Sequence, residues 1–141
     1  MSGELERLRA RIEELGGQEA YPVVPLELFF AGNEDAASIG PNLDPHPGVD
    51  AFHRVLREIR ERDDVSDVVL QVNEVLEGGD EWPYVDAAYV ITSASADDVH
   101  RWAAELHPDP PEPGARWLYA SPPPGAPPIP DGHDVVTLYW D

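Results

Sequence analysis

Leu5, Leu8, Ile12 and Leu15 recur at the three-to-four spacing of a single helical stripe, and Gly16-Gly17 ends it. Glu4 with Arg7 and Arg9 with Glu13 stand at supportive distances along that stripe's flanks. This predicts an N-terminal amphipathic helix over residues 1–17, ahead of a single α+β domain over residues 18–141. The pattern then changes period. Leu26, Leu28 and Phe30 alternate with Glu27 and Phe29, which predicts a first strand with Pro25 tolerated at its start. A polar connection from Gly32 to Pro47 follows, and Val49, Phe52, Leu56 and Ile59 make the apolar stripe of the next helix. Asp63-Asp64 marks its closing turn.

Val68, Leu70 and Val72 alternate with Val69, Gln71 and Asn73 as a second strand. Gly78-Gly79-Asp80 has the chemistry of a hairpin turn, and Val85, Ala87, Tyr89 and Ile91 are expected on one face of a third strand. Ser95 with Asp98 three residues on reads as a helix cap, opening a stripe of Val99, Trp102, Ala103 and Leu106 that Pro108 closes. Between Pro108 and Pro130 lie ten of the sixteen prolines, interrupted by Trp117, Leu118 and Tyr119. Three large apolar groups in a row predict that this loop packs down over the core, and a covering role outweighs the PxxP at Pro124 and Pro127 as a peptide ligand. Val136, Leu138 and Trp140 alternate with Val135, Thr137 and Tyr139 as the last strand.

After the first helix the order is β-α-β-β-α-β, that of the ferredoxin-like split βαβ unit. The expected fold is therefore an antiparallel sheet with both helices on one face, an extra N-terminal helix and a long Pro-rich loop before the last strand. Apolar groups on both faces of several strands (Phe29, Val69, Val90, Tyr139) require a cover on the second face. The N-terminal helix, the Pro-rich loop or a second copy of the chain would serve, and the count of apolar faces predicts a homodimer.

Charge narrows the partners. The chain carries 28 acids against 9 bases, a net −19, and every base is Arg. Such a balance repels phosphate backbones and anionic lipid surfaces, so neither a nucleic acid nor a membrane is an expected partner, whereas a basic protein would be steered toward it. Compositional drift of a GC-rich lineage, or a high-salt habitat, accounts for the same bias without any partner. No run reaches the ~18 apolar residues of a membrane span, the Glu- and Arg-rich start is unlike a signal peptide, and cysteine is absent. The cytoplasm is the expected location.

The search for chemistry returns little. His100 and His107 share a helical face but stand about 10 Å apart along it, too far to share an ion. His46 and His53 have the same spacing, so no metal ligands and no cofactor are assigned. No phosphate-binding glycine loop, activated serine or lysine is present, and no catalytic residue is assigned. What remains is the Gly32–Leu43 segment, long for a structureless connection. Asn33, Ser38 and Asn42, with Trp82 nearby in the pattern, are the candidate ligand- or partner-binding residues. The competing reading is a self-bonded loop in which Asn and Gly serve turns.

Phe29-Phe30, Gly32-Asn33, Ser38-Ile39-Gly40 and Asn42-Leu43, together with Glu81-Trp82-Pro83 and Thr92-Ser93-Ala94-Ser95, resemble a family of small uncharacterised bacterial proteins. The resemblance runs from Val24 to Asp141, leaves the first helix outside, and implies bacterial origin and domain extent but no chemistry. Two functions are expected from these readings. One is a non-catalytic protein-binding module, of the immunity or inhibitor type, that neutralises a basic bacterial toxin. The other is a small-molecule-binding or enzymatic domain built on the Gly32–Leu43 loop.

Overall fold

In the computed structural model, residues 3–76, 81–111 and 116–141 are described. The elements are α1 (Gly3–Glu14), β1 (Val23–Pro25), α2 (Leu26–Phe30), α3 (Val49–Arg60), β2 (Val65–Glu74), β3 (Tyr84–Thr92), α4 (Ala96–Trp102) and β4 (Asp134–Tyr139). The expected hairpin turn at Gly78-Gly79-Asp80 lies outside the described residues. The two strands it would join do pair antiparallel.

The four strands form one antiparallel sheet in the order β1-β2-β3-β4. Each strand thus pairs with its neighbour in the chain. A split βαβ unit would instead insert a later strand between the first two, so the strand order differs from the ferredoxin-like expectation. The difference begins at Leu26–Phe30, where a helix stands in place of the expected strand. The strand is the short Val23–Pro25 just before it. The run Leu-Glu-Leu-Phe-Phe satisfies both periods: alternation groups Leu26, Leu28 and Phe30, but helical spacing groups Leu26, Phe29 and Phe30. Burial selects the second set, since those three are the buried residues of the segment. Glu27 on the wet side is ion-paired with Arg60 of α3.

The helices gather on one face of the sheet. Leu5, Leu8 and Ile12 of α1 share one core with Phe29 of α2, Phe52, Leu56 and Ile59 of α3, Val99 of α4 and the inward strand residues. The N-terminal helix is thus built into the main core, and Leu8 is fully buried. Ser95 caps α4 as its position predicts, its hydroxyl accepting from the Asp98 amide at 3.1 Å. Its stripe is divided, with α4 ending at Trp102 and a 3-10 turn over Ala104–Leu106 carrying the last contact.

The second face has its own smaller core of Val23, Val69, Tyr89, Ile91 and Val135, against which Trp117 and Ala126 pack. The cover is the chain's own Pro-rich segment. It leaves the β4 edge, where the Asp109 amide donates to the Tyr139 carbonyl at 2.8 Å, and reaches the β1 edge, where the Val23 amide donates to the Pro124 carbonyl at 2.9 Å. Each sheet edge, normally open to pairing with other chains, thus shares a hydrogen bond with the described parts of the Pro-rich run. Gly125 makes the second contact feasible. It sits at φ +86°, and a Cβ there would stand 2.6 Å from the Val23 carbonyl oxygen.

β3 departs from simple alternation. Gln71 pairs with Ala87 and Val72 with Val85, so Asp86 is an extra residue, a β-bulge. Val85 therefore belongs to the helix-side core while Tyr89 and Ile91 face the Pro-rich segment. The four positions Val85, Ala87, Tyr89 and Ile91 do not share one face as alternation predicts. A bulge redirects side chains, and here it brings Asp86 to the outer face.

Candidate functional site

The Gly32–Leu43 loop is held by its own polar groups. Asn33 Nδ2 donates to Ser38 Oγ at 3.0 Å, and Asn33 Oδ1 accepts from the Asp35 amide at 2.9 Å. The Ser38 hydroxyl donates to the Asp35 carbonyl at 2.7 Å, and both Asn33 and Ser38 are buried. Gly40 is needed for a close approach: at φ +62° a Cβ would lie 2.8 Å from the Phe52 ring. Trp82 Nε1 donates to the Phe29 carbonyl at 2.8 Å, completing the last turn of α2. Asn42 stands apart and exposed, donating to the Asp141 carbonyl at 3.0 Å. Asn33 and Ser38 thus meet each other, and Asn42 and Trp82 serve other contacts.

The histidines are likewise engaged locally. His46 Nδ1 accepts from the Gly48 amide at 2.9 Å, so the proton belongs on Nε2, which lies 2.8 Å from the Ile39 carbonyl. His53 stacks on Phe30 at 4.7 Å between ring centroids. Burial, followed by the charge of Arg57, holds its imidazole below the ordinary value. Among the described residues, no group of three or more His, Asp or Glu side chains is placed to hold a metal ion.

A denser arrangement lies on the sheet's outer face. Gln71, buried in β2, donates through Nε2 to the carbonyls of Tyr21 and Val72, both at 2.9 Å. Its Oε1 accepts from the Tyr89 hydroxyl at 2.8 Å, and that hydroxyl in turn accepts from the Leu118 amide at 3.0 Å. Trp117 meets the Tyr89 ring edge-on at 4.7 Å. Burial pushes the Tyr89 phenol up to about 12, which keeps it neutral and able to donate. Next to this network the Tyr119 hydroxyl donates to Asp86 Oδ2, and the Tyr119 ring stacks on Tyr21 at 4.3 Å.

Asp86 is 9% exposed, and its Oδ1 is buried without a hydrogen-bond partner among the described residues. Burial raises its carboxyl above the usual range, and the bond from Tyr119 opposes that rise in part. Tyr119 is raised by burial first and then by Asp86. Tyr139 is raised by burial, with Asp86, Asp141 and Asp109 adding negative field.

In front of this pair opens a cleft of about 470 Å³, lined by Asp109, Pro110, Pro111, Leu118, Tyr119, Thr137, Tyr139 and Asp141. Two of its walls, Leu118 and Tyr119, are large apolar groups left 36% and 42% exposed. Aromatic and apolar walls with a few polar groups are the usual make-up of a binding site, and the volume falls within the usual range. Sequence patterns did not single out these residues. The available signal was Asp86 itself, the one charged residue in the strand Tyr84–Thr92.

Fold and cleft define a small acidic α+β protein whose second sheet face is closed by a Pro-rich segment and carries the binding-site candidate. The chain belongs to the Uncharacterized protein YfbO family, whose model matches residues 3–138. That match takes in α1, so the shared region begins earlier than the expected Val24. The chain is similar to the Uncharacterized protein YfbO of Escherichia coli (strain K12), 33% identical over 121 residues that cover 85% of this chain and 83% of the relative. No solved structure matches.

Proposed function

We propose that the protein is a non-catalytic binding module for a basic protein partner, of the immunity or inhibitor kind. The observation that supports this reading is uncompensated charge. The chain holds 28 acids, and the ion pairs among the described residues engage only seven of them. The remaining carboxylates form a field that speeds capture of a cationic partner and disfavours anionic ones. It also opposes nucleic acid and anionic lipid as partners, and no helix among the described residues is long and apolar enough to cross a membrane. Affinity purification from the native lysate at low and moderate salt, read by mass spectrometry, tests the proposal. A stoichiometric basic protein retained at low salt supports it, and recovery of none at either salt counts against it.

The alternative, a small-molecule or enzymatic domain using Gly32–Leu43, has less support because Asn33 and Ser38 are engaged with each other and with Asp35. A metabolite-library thermal shift is its test, and a flat response removes it. A homodimer draws no support from the sheet's second face, which Trp117 and Ala126 cover within the chain. Light scattering at high micromolar concentration tests it directly, a monomeric mass excluding it.

A further inference from the structure

The outer cleft combines features that fit one chemical group. Asp109 and Asp141 contribute acidic residues to its lining, Tyr119 and Tyr139 aromatic ones, and Pro110, Pro111 and Leu118 apolar ones. No basic residue is among those lining it. Arg116, two residues before Leu118, is tied to Asp134 through an ion pair of 2.7 Å. Behind the wall, one hydrogen bond away on Tyr119, stands Asp86 with a buried, unpartnered carboxylate oxygen. The cleft is therefore negative without an internal counter-charge. It is also partly apolar, which a small hydrated ion cannot exploit.

A hard divalent ion asks for six or more oxygen ligands, and the cleft's carboxylates do not converge with a third acid into a metal-holding group among the described residues. An organic cation with an apolar stem uses both kinds of wall. Between the two natural side chains, a guanidinium is the more weakly hydrated, stacks on aromatic rings and forks onto carboxylates, whereas an ammonium is compact and strongly hydrated. Tyr and Arg are also among the residue types on which interfaces concentrate their binding energy.

We infer that the cleft between Tyr119, Tyr139, Asp109 and Asp141 receives an arginine side chain of a basic protein partner. This rests on the partner-binding reading above and names the place and the group through which contact is made. Tyr119 is fixed by its bond to Asp86 and its stack on Tyr21, and the Asp109 backbone by the hydrogen bond its amide donates to the Tyr139 carbonyl.

Amide-resolved NMR titration of the full chain at low salt tests the assignment. The probes are a capped Gly-Gly-Arg-Gly-Gly peptide, its neutral citrulline counterpart and its lysine counterpart. The arginine peptide is expected to shift the amides of Leu118, Tyr119, Thr137 and Tyr139, the citrulline peptide to leave them still, and the lysine peptide to bind more weakly. Asp109→Asn with Asp141→Asn should weaken the arginine peptide by about tenfold, two exposed charge pairs being removed. Glu6→Gln with Glu34→Gln, the same charge change at remote exposed positions, should leave affinity unchanged. Well-dispersed amide spectra establish that each variant is folded. Shifts spread over the acidic surface and equal in both double variants overturn the cleft while leaving a basic partner standing. Equal binding of the lysine and arginine peptides overturns the guanidinium assignment. No shift with the wild-type protein overturns the inference outright, and the lysate experiment then judges the broader reading independently.

Discussion

Trp117→Ala removes the main weight that the Pro-rich segment places on the sheet. The indole packs against the outer core of Val23, Val69, Tyr89, Ile91 and Val135, with its ring set edge-on to Tyr89 at 4.7 Å. It is more than half buried, so at least about 100 Å² of its surface is withdrawn from water, half of what a large aromatic side chain buries when fully enclosed. At about 25 cal/mol per Å² that burial contributes roughly 2.5 kcal/mol, and the edge-on pair adds about 0.5–1.5 kcal/mol. The expected loss is therefore about 3–4 kcal/mol, which for a chain of this size lowers the melting temperature by about 6–16 °C.

Calorimetry at neutral pH measures that shift, and binding of an apolar dye measures the second consequence. With Trp117 gone, Val69, Ile91 and Val135 lose part of their cover, and the face should bind dye or associate with other copies. A melting temperature within about 2 °C of wild type, with no added dye binding, would show that the segment lies on the sheet without holding it.

Gly125→Ala forces a Cβ against the Val23 carbonyl at positive φ, and should lower the urea midpoint by a loss of about 2 kcal/mol. Asn33→Ala leaves the buried Ser38 hydroxyl and the Asp35 amide short of a partner, so a loss of about 1–2 kcal/mol is expected in the same assay. An unchanged midpoint would return Asn33 to the list of ligand-binding candidates. Tyr119→Phe removes the bond to Asp86, at an expected loss of about 1–2 kcal/mol at neutral pH. Because burial raises the folded carboxyl of Asp86 above its unfolded value, its contribution to stability is complete below that unfolded value and declines as pH rises through the folded one. Losing the Tyr119 bond raises the folded value further, so the variant's deficit should be largest at neutral pH and shrink on acidification; a deficit equal at both pH values contradicts the assigned bond. With a net charge of −19, the wild-type melting temperature should rise as salt goes from about 10 mM to about 150 mM, and no response would mean that the acids are already compensated.

The elements whose apolar spacing fits only one period were legible in the sequence. The α1 stripe of Leu5, Leu8 and Ile12 and the α3 stripe of Val49, Phe52, Leu56 and Ile59 are buried as their spacing requires. Trp117 does pack on the outer core, as three large apolar groups inside a proline-rich run predict. Leu26–Phe30 fits both periods in its five residues, and only packing decides between them: Leu26, Phe29 and Phe30 are buried, and Phe30 stacks on His53 of α3. The strand order was not legible, since alternation identifies strands but not which strand pairs with which. The bulge at Asp86 left one mark, the single charge in an otherwise uncharged strand, but alternation alone does not show that a residue has been inserted. Missing it hid Asp86 from the outer face and, with it, the cleft that Tyr119 and Tyr139 share.

The bulge also explains why a buried carboxylate survives in this strand. Simple alternation would turn position 86 toward the helix-side core, where Val85, Ala88 and Val90 pack and a carboxylate would have no donor to meet. A charge there would force its own protonation or unfold the strand locally. Shifted outward, Asp86 meets one donor, the Tyr119 hydroxyl, and keeps one oxygen unpartnered. That half-satisfied state costs stability, yet an apolar residue would pack beside Tyr119 with no such penalty. A carboxylate kept at that cost behind a cleft lined by Asp109 and Asp141 anchors Tyr119, and on the inference above positive charge in front of it would add to that role. Arrival of a cation would lower the Asp86 carboxyl back toward the ordinary range and tighten its bond to Tyr119. Binding in the cleft and anchoring of the Pro-rich segment are then the same event. Protection of the Leu118 amide from hydrogen exchange should accordingly increase when the arginine peptide binds, and an unchanged rate would separate the two.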